Sequence, residues 1–279
     1  MTSNRAASQV QLPIIALPEG SQRPSSGSRE GGTPTGRRAI QDVLLTEGLI
    51  ALRLSTEVQS MEELQEALVK HFGQNSAETR RRYAQSVMRW FFPDGFDGLL
   101  RRMWIAYEDE AIARDVLHYL YLSGEPIMGR CVAEALYPLE NGIAIPPDFF
   151  DRFLHEHLGE SVPVKTRERL KSNLKKLGFL ERVRGKPDRL APVASQKTSF
   201  LLLLHYRFAS KAVRSSELKA LLADPFWKYL GYKSEAAVRS ILREADATGA
   251  IGKYVVADQL EQVTTRFTFD ELLERRLRL

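Results

Sequence analysis

Basic side chains are concentrated in one stretch of the sequence, between Pro163 and Lys197. Eleven Lys and Arg residues stand there against three acidic residues, so the stretch has a net charge of +8. The whole chain carries only +5, which leaves the rest of it slightly acidic. Clustered cations attract polyanions, and the phosphate backbone of a nucleic acid is one such ligand.

The spacing within this stretch predicts an amphipathic helix that begins near Pro163. Leu170, Leu174 and Leu177 are separated by four and three residues, which indicates one buried face. A second stripe is basic or polar and consists of Lys165, Arg169, Ser172 and Lys176. Gly178 then predicts the end of the helix, because glycine readily adopts the left-handed conformation that reverses the chain.

A β-hairpin is predicted directly after this helix. The segment FLERVRGKPDRLAPV alternates apolar and polar residues around a turn at Gly185–Asp188. The turn carries Arg184, Lys186 and Arg189, which would lie against a nucleic-acid backbone or a minor groove. A helix with its hairpin is therefore predicted to form a basic surface for double-stranded DNA.

An α-helix fits the major groove, and its N-terminal residues usually reach the base edges. Thr166, Arg167, Ser172 and Asn173 are of the types that read bases, and about six cations are expected to contact phosphates. Six phosphate contacts predict a salt slope of about −5. The predicted DNA-contacting residues of this region are Lys165, Thr166, Arg167, Arg169, Ser172, Asn173, Lys176, Arg182, Arg184, Lys186 and Arg189.

A second basic cluster, Arg80, Arg81 and Arg82, lies on a predicted helix that ends before Pro93. Three consecutive helical residues point in widely different directions, so these three cannot all face one partner. Phosphate contact or a protein interface is one interpretation. Ordinary exposed or ion-paired arginines are the other.

The composition and periodicity predict four regions. Residues 1–37 are rich in Ser, Gly, Pro and Arg, which predicts a disordered basic tail. Residues 38–110 are predicted to form a helical domain that resembles a helix-turn-helix. Residues 111–197 are predicted to form a winged-helix domain that carries the basic helix, and residues 198–279 a second winged-helix-like domain.

The last two regions repeat one plan, in which helices are followed by a glycine and two strands. We therefore predict a mainly α fold with small β-hairpin wings and tandem winged helix-turn-helix units. The second unit lacks the charge of the first, because Arg239 and Arg243 stand against three acidic residues on the same helix. That helix is expected to pack or to bind protein, and Trp227 and Tyr229 are expected in the core.

Several classes of protein are disfavoured by the sequence. A single cysteine, Cys131, excludes an internal disulfide and a thiolate-rich zinc site. His155 and His157 are two apart, so on a helix they diverge and joint metal binding is not expected. No Walker loop, HExxH or GxSxG motif is present. We therefore expect a cytoplasmic, non-enzymatic protein with no membrane span, metal or small-molecule cofactor.

Two segments resemble the BrxA proteins of BREX phage-defence systems. FGQNSAETRRRYAQSVMRWF is similar to a family helix that opens with serine, threonine and arginine. VPVKTRERLKSNLKKLGFLERV and RLAPV are similar to the family's threonine-containing helix, its Gly-bearing exit and its Pro-bearing strand. The resemblance covers roughly residues 40–195. The first 37 residues and the full repeat after residue 198 depart from it.

The resemblance implies a small, mostly helical DNA-binding protein that works beside other defence-system proteins. Two alternatives stay open from the residues themselves. A plasmid replication initiator can also carry two winged-helix units, and it would prefer short directly repeated sites. A protein or RNA adaptor would use the basic face on an acidic partner and would bind duplex DNA weakly.

Overall fold

Helices dominate the described part of the chain, and two small antiparallel sheets complete it. The computed structural model describes residues 40–159, 162–257 and 260–279. This composition confirms the prediction of a mainly α fold with small β-hairpins. The predicted basic tail, residues 1–37, lies outside the described residues.

Four helices lead into the middle of the chain: α1 (Leu45–Leu54), α2 (Met61–His71), α3 (Ala77–Phe91) and α4 (Leu99–Tyr107). Serine side chains cap the N-termini of α2 and α3. The Ser60 side chain accepts a hydrogen bond from the Glu63 amide, and the Ser76 side chain accepts one from the Thr79 amide. Such caps satisfy amides that the first turn of a helix leaves without partners.

The next helix, α5 (Glu110–Gly124), lies at the centre of the helical core. It contacts α1, α3, α4 and α9 (Lys197–Phe208). Its predicted apolar residues are buried, among them Ile112, Leu117 and Tyr121. Residues on its other sides are also buried, which is typical of a helix enclosed by the core rather than one at the surface.

The first repeat runs from residue 126 to residue 190. Its elements are α6 (Pro126–Arg130), a π-helix (Cys131–Leu136), α7 (Phe149–Leu158), α8 (Val164–Lys176), β1 (Leu180–Glu181) and β2 (Arg189–Leu190). Leu180 pairs with Leu190 in an antiparallel register, and Ala144 forms an isolated antiparallel bridge with Arg189. β2 therefore lies between β1 and the extended residues before α7.

The second repeat has a similar order of elements, with the strand β3 (Ser215–Glu217) and the short helix α11 (Phe226–Tyr229) in addition. It consists of α9, β3, α10 (Leu218–Ala223), α11, α12 (Glu235–Ala247), β4 (Lys253–Ala257) and β5 (Leu260–Thr264), and α13 (Phe269–Arg275) follows it. The sheet order is β3-β5-β4, and both pairings are antiparallel. In each repeat the last strand is therefore central, between the first hairpin strand and a segment that precedes the middle helix.

The glycine after the helix that precedes the hairpin of each repeat reverses the chain, as the sequence predicts. Gly178 has φ +77° and Gly249 has φ +71°. The next amide in each case, of Phe179 or Ala250, donates to a carbonyl five residues back, at 2.9 and 2.8 Å. This is the Schellman arrangement, in which a left-handed residue lets the last turn of a helix satisfy its carbonyls.

Two local features differ from what the residue types indicate. Ser215 and Ser216 precede a short helix and are of a type that often caps one, but they belong to β3 and pair with Thr264 and Val263. The competing principle is strand pairing, which satisfies their backbone groups with β5 instead. The helix that opens at Pro126 exists, but it widens into a π-helix from Cys131, a change that its periodicity does not announce.

The described residues from Ile40 onward belong to a single compact unit, Arg38–Leu279. The division of this unit at residues 110 and 197 stays a prediction. Among the described helices, none is both long and apolar enough to cross a membrane.

Candidate nucleic-acid interface

The helix α8 buries the face that the leucine spacing predicts. Leu170 and Leu174 are fully buried, and Leu177 follows at the C-terminal cap. Burying side chains of this size contributes about 1.5–3 kcal/mol each, which fixes the rotation of the helix on its unit. The direction of every other side chain on α8 follows from that rotation.

The exposed side of α8 carries the predicted basic stripe. Lys165, Arg169 and Lys176 are all exposed, and Ser172 is half-buried between them. Glu168 is exposed on the same stripe, so one acidic side chain lies within it. Lys176 Nζ lies 3.8 Å from Asp42 Oδ1, a distant ion pair between two partly exposed groups. Such exposed pairs contribute little, so Lys176 can exchange this partner for a phosphate.

A second side of α8 is basic as well, but its charges are paired within the chain. Arg167 donates two hydrogen bonds to Asp151, at 3.0 and 2.8 Å. Lys175 Nζ lies 2.9 Å and Lys171 Nζ 3.6 Å from the carboxylate of Asp188, which comes from the hairpin. These pairs join α8 to α7 and to the hairpin, so this side is a weaker candidate for DNA than the exposed stripe.

Two predicted base-reading residues are placed where no base can reach them. Thr166 has an exposed fraction of only 5%, and Asn173 is fully buried. The Asn173 side chain accepts from the Val43 amide at 3.0 Å and donates to the Gln41 carbonyl at 2.7 Å and to the Tyr121 hydroxyl at 2.8 Å. The prediction for both residues is wrong, because polar side chains next to a leucine face can turn inward when the fold supplies partners.

Asn173 therefore has a structural role. It fastens the segment 40–43 to α8, while the Tyr121 hydroxyl donates to the same Gln41 carbonyl at 2.9 Å. Burial raises the pKa of Tyr121 above its ordinary value, so its hydroxyl keeps its proton and remains a donor. Nothing in the sequence marks residues 40–43 as the partners of α8.

The hairpin after α8 presents the cations that are least constrained by the chain. Arg182, Arg184 and Lys186 are exposed, and Arg189 on β2 is half-buried. Within the described part of the chain, no carboxylate lies within 4.0 Å of any of their charged atoms. Four cations thus remain free for an external anion beside the α8 stripe.

The three consecutive arginines of α3 separate into different environments. Arg80 is half-buried, and its guanidinium donates to the carbonyls of Val69 and Gln74 at 3.0 and 2.6 Å. It stabilises the turn between α2 and α3, which favours the interpretation of Arg80 as an arginine bound within the chain. Arg81 and Arg82 are exposed.

The corresponding helix of the second repeat, α12, carries two arginines. Arg243 is exposed, and no carboxylate of the described residues lies within 4.0 Å of its guanidinium. Arg239 is bound to Glu235 and to Glu261, each at 2.9 Å. Lys253 on β4 lies 3.4 Å from Asp246. The predicted core positions of Trp227 and Tyr229 are confirmed, because their exposed fractions are 1% and 8%.

Other candidate reactive residues are separated or enclosed. Cys131 is fully buried, and burial raises the pKa of its thiol, so it stays protonated and unreactive. Burial also lowers the pKa of His118 to about 4, which keeps that ring neutral. In the ranges that the structure describes, no group of three or more His, Cys, Asp and Glu side chains is arranged to hold a metal ion.

Comparisons of this chain with protein-family models, with curated proteins and with solved structures gave no match. The resemblance to BrxA proteins therefore stays a prediction from the motifs in the sequence.

Proposed function

We propose that this chain binds double-stranded DNA, without catalysis, through the exposed stripe of α8 and the adjoining hairpin. The observation that carries the proposal is the set of cations that the fold leaves unpaired. Six of the eleven basic residues between 163 and 197 have no carboxylate of the described residues within 4.0 Å. They are Lys165, Arg169, Arg182, Arg184, Lys186 and Arg189.

The order of elements supports a duplex ligand. A helix, an extended segment, two helices and a hairpin is the order expected of a winged helix-turn-helix, and a helix-turn-helix places its recognition helix in a major groove. In the first repeat that helix would be α8, and the hairpin would be the wing. The same repeat therefore combines a DNA-binding order of elements with an unpaired basic surface.

Weak sequence preference is the expected consequence of the buried residues. Thr166 and Asn173 are enclosed, and the side chains that remain exposed are mostly phosphate-type cations. Arg167 and Ser172 are the remaining predicted base-reading residues, and Arg167 must first leave Asp151. The proposed interface therefore holds the duplex mainly by its backbone.

The resemblance to BrxA proteins supports a narrower proposal, that the chain is a cytoplasmic DNA-binding component of a phage-defence system acting beside other defence-system proteins. Its genomic neighbourhood tests this part. Genes for a large methyltransferase, an alkaline-phosphatase-like protein and an ATPase nearby would support it. Neighbours typical of plasmid replication would favour the initiator instead.

Fluorescence anisotropy with a labelled random-sequence duplex tests the DNA-binding proposal. The variant Lys165→Ala/Arg169→Ala/Lys176→Ala should bind about 100-fold more weakly than the unaltered chain at 100 mM salt, since three phosphate contacts are lost. A matched variant of the second repeat, Lys219→Ala/Arg243→Ala/Lys253→Ala, removes the same charge from exposed positions. It should change the affinity less than threefold.

Equal losses in the two variants would show that net charge, rather than the α8 surface, determines binding. Absence of duplex binding by the unaltered chain would overturn the proposal. Stable binding to a neighbouring gene product or to RNA in its place would favour the adaptor.

A further inference from the structure

Arg82 on α3 and Arg169 on α8 line the same small cavity, although they are far apart in the sequence. The cavity has a volume of about 140 Å³, and both guanidinium groups belong to exposed side chains. No carboxylate of the described residues lies within 4.0 Å of either group. The fold thus brings together two cations that the sequence places in separate clusters.

The segment 40–44 lies between the two helices and holds the cavity in shape. Arg169 Nη1 donates to the Ile40 carbonyl at 3.2 Å, so its guanidinium is oriented by the backbone. On the α3 side, the Ser86 hydroxyl donates to Gln41 Oε1 at 3.1 Å. Both Gln41 and Ser86 line the cavity, which gives it polar walls.

One carboxylate also lines the cavity, that of Asp42. Its charge is opposed by Lys176, whose Nζ lies 3.8 Å from Asp42 Oδ1. The three cations Arg82, Arg169 and Lys176 outnumber this single acid, so the rim keeps a positive charge. A rim with two forked guanidinium groups suits an oxyanion, because each can donate two parallel hydrogen bonds.

We propose that Arg82 and Arg169 hold one phosphate of the DNA strand that crosses α8, so that α3 belongs to the same interface. The proposal rests on the DNA-binding function proposed above. It also separates the members of the arginine cluster, because Arg81, the next exposed residue on α3, does not line the cavity. Arg81 is therefore a matched control that differs from Arg82 only in its position.

Anisotropy with the full chain and a random-sequence duplex tests this assignment. Arg82→Ala should weaken binding about fivefold and change the salt slope by less than one, since Arg169 still neutralises the shared phosphate. Arg81→Ala should stay within twofold of the unaltered chain. Arg82 makes no hydrogen bond or ion pair with the described residues, so its removal should leave the melting temperature unchanged.

The double variant Arg82→Ala/Arg169→Ala tests whether one phosphate is shared. Shared contact predicts a salt slope reduced by about one in the double variant, whereas separate phosphates predict about two. Arg169→Lys is the substitute if loss of the bond to Ile40 unfolds Arg169→Ala. It keeps the charge but loses the fork, and it should weaken binding about twofold.

Three results would overturn the assignment. The first is an equal loss of duplex affinity in Arg82→Ala and Arg81→Ala, together with a loss of affinity in the triple α8 variant. This result would support the proposed function and contradict the role of Arg82. The second is stabilisation of the unaltered chain by inorganic phosphate, lost in Arg82→Ala, with unchanged duplex binding, which would mean a free-anion site. The third is absence of duplex binding by the unaltered chain, which would remove both proposals.

Discussion

The two repeats have a similar order of elements and different surface chemistry. In each, the helix before the hairpin ends at a left-handed glycine. In the first repeat the exposed side of that helix is basic and largely unpaired. In the second repeat Arg239, one of the two arginines of that helix, is bound to two glutamates. A similar order of elements can therefore carry a largely unpaired basic surface or lack one, depending on a few exposed positions.

Alignment of α8 and α12 on Gly178 and Gly249 shows which positions differ in charge. The three cations of the α8 stripe correspond in α12 to small residues that are also exposed, whereas Ser172 corresponds to the exposed Arg243. Lys165, Arg169 and Lys176 correspond to Ala236, Ser240 and Ala247. The buried positions Leu170 and Leu174 correspond to Ile241 and Ala245, which are buried as well. The fold thus depends on the buried positions, and the charge is determined independently by the exposed ones.

The hairpins differ in the same sense. The first exposes Arg184 and Lys186, whereas the second exposes Val255 and Val256, with exposed fractions of 40% and 56%. Val255 and Val256 lie on β4, and their apolar side chains cannot bind a phosphate. Among the described residues of β4 and β5 the one cation is Lys253, which lies 3.4 Å from Asp246.

The largest expected effect on stability comes from the substitution of Asn173. Asn173→Ala should lower the free energy of unfolding by about 3 kcal/mol, because it leaves buried partners such as the Val43 amide without a hydrogen bond. Urea unfolding of the purified chain measures this change.

Two control substitutions test whether the loss of stability is specific to Asn173. Ser172→Ala, at the adjacent half-buried position, and Glu244→Ala, at the aligned position of α12, should each cost less than about 1 kcal/mol. Glu244 pairs with Lys197, but both side chains are partly exposed. A cost below 1 kcal/mol for Asn173→Ala would contradict the buried network that fastens the segment 40–43 to α8.

A smaller effect is expected from moving the stripe to the second repeat. In the triple α8 variant, the changes Ala236→Lys, Ser240→Arg and Ala247→Lys rebuild the stripe on α12. If charge is the main difference between the repeats, duplex affinity should recover about tenfold. Anisotropy measures the recovery, and glutamine at the same three positions provides a neutral control.

No recovery in that variant would show that the repeats differ in more than charge. Recovery in the neutral control as well would show that the substitutions act without their charge. Either result would contradict the claim that α8 and α12 differ mainly in their charge.

The local features of the fold are predictable from the sequence. The leucine spacing of α8, the serine caps of α2 and α3 and the glycine reversals all follow from local rules of helix periodicity and chain geometry. The structure has each of them. Local rules suffice because each feature depends on residues within one or two turns of one another.

The contacts that the sequence does not predict join residues that are far apart in the chain. Asn173 is buried because residues 41 and 43 supply its partners, and Arg80 is occupied because the carbonyls of residues 69 and 74 lie beside it. Asp151 and Asp188 pair with α8 from neighbouring elements. Charge counting identifies the basic region, but only tertiary contacts determine which of its cations stay unpaired.

The most direct test of the central claim is the dependence of duplex affinity on salt for the unaltered chain. Six unpaired cations that meet phosphates predict a slope of log affinity against log salt of about −5. Anisotropy titrations between 50 and 300 mM salt, roughly the range over which such contacts change affinity most visibly, measure it. A slope near −5 is the predicted result. A slope shallower than about −2, or no binding at the lowest salt, would contradict the claim that these cations form a DNA-binding surface.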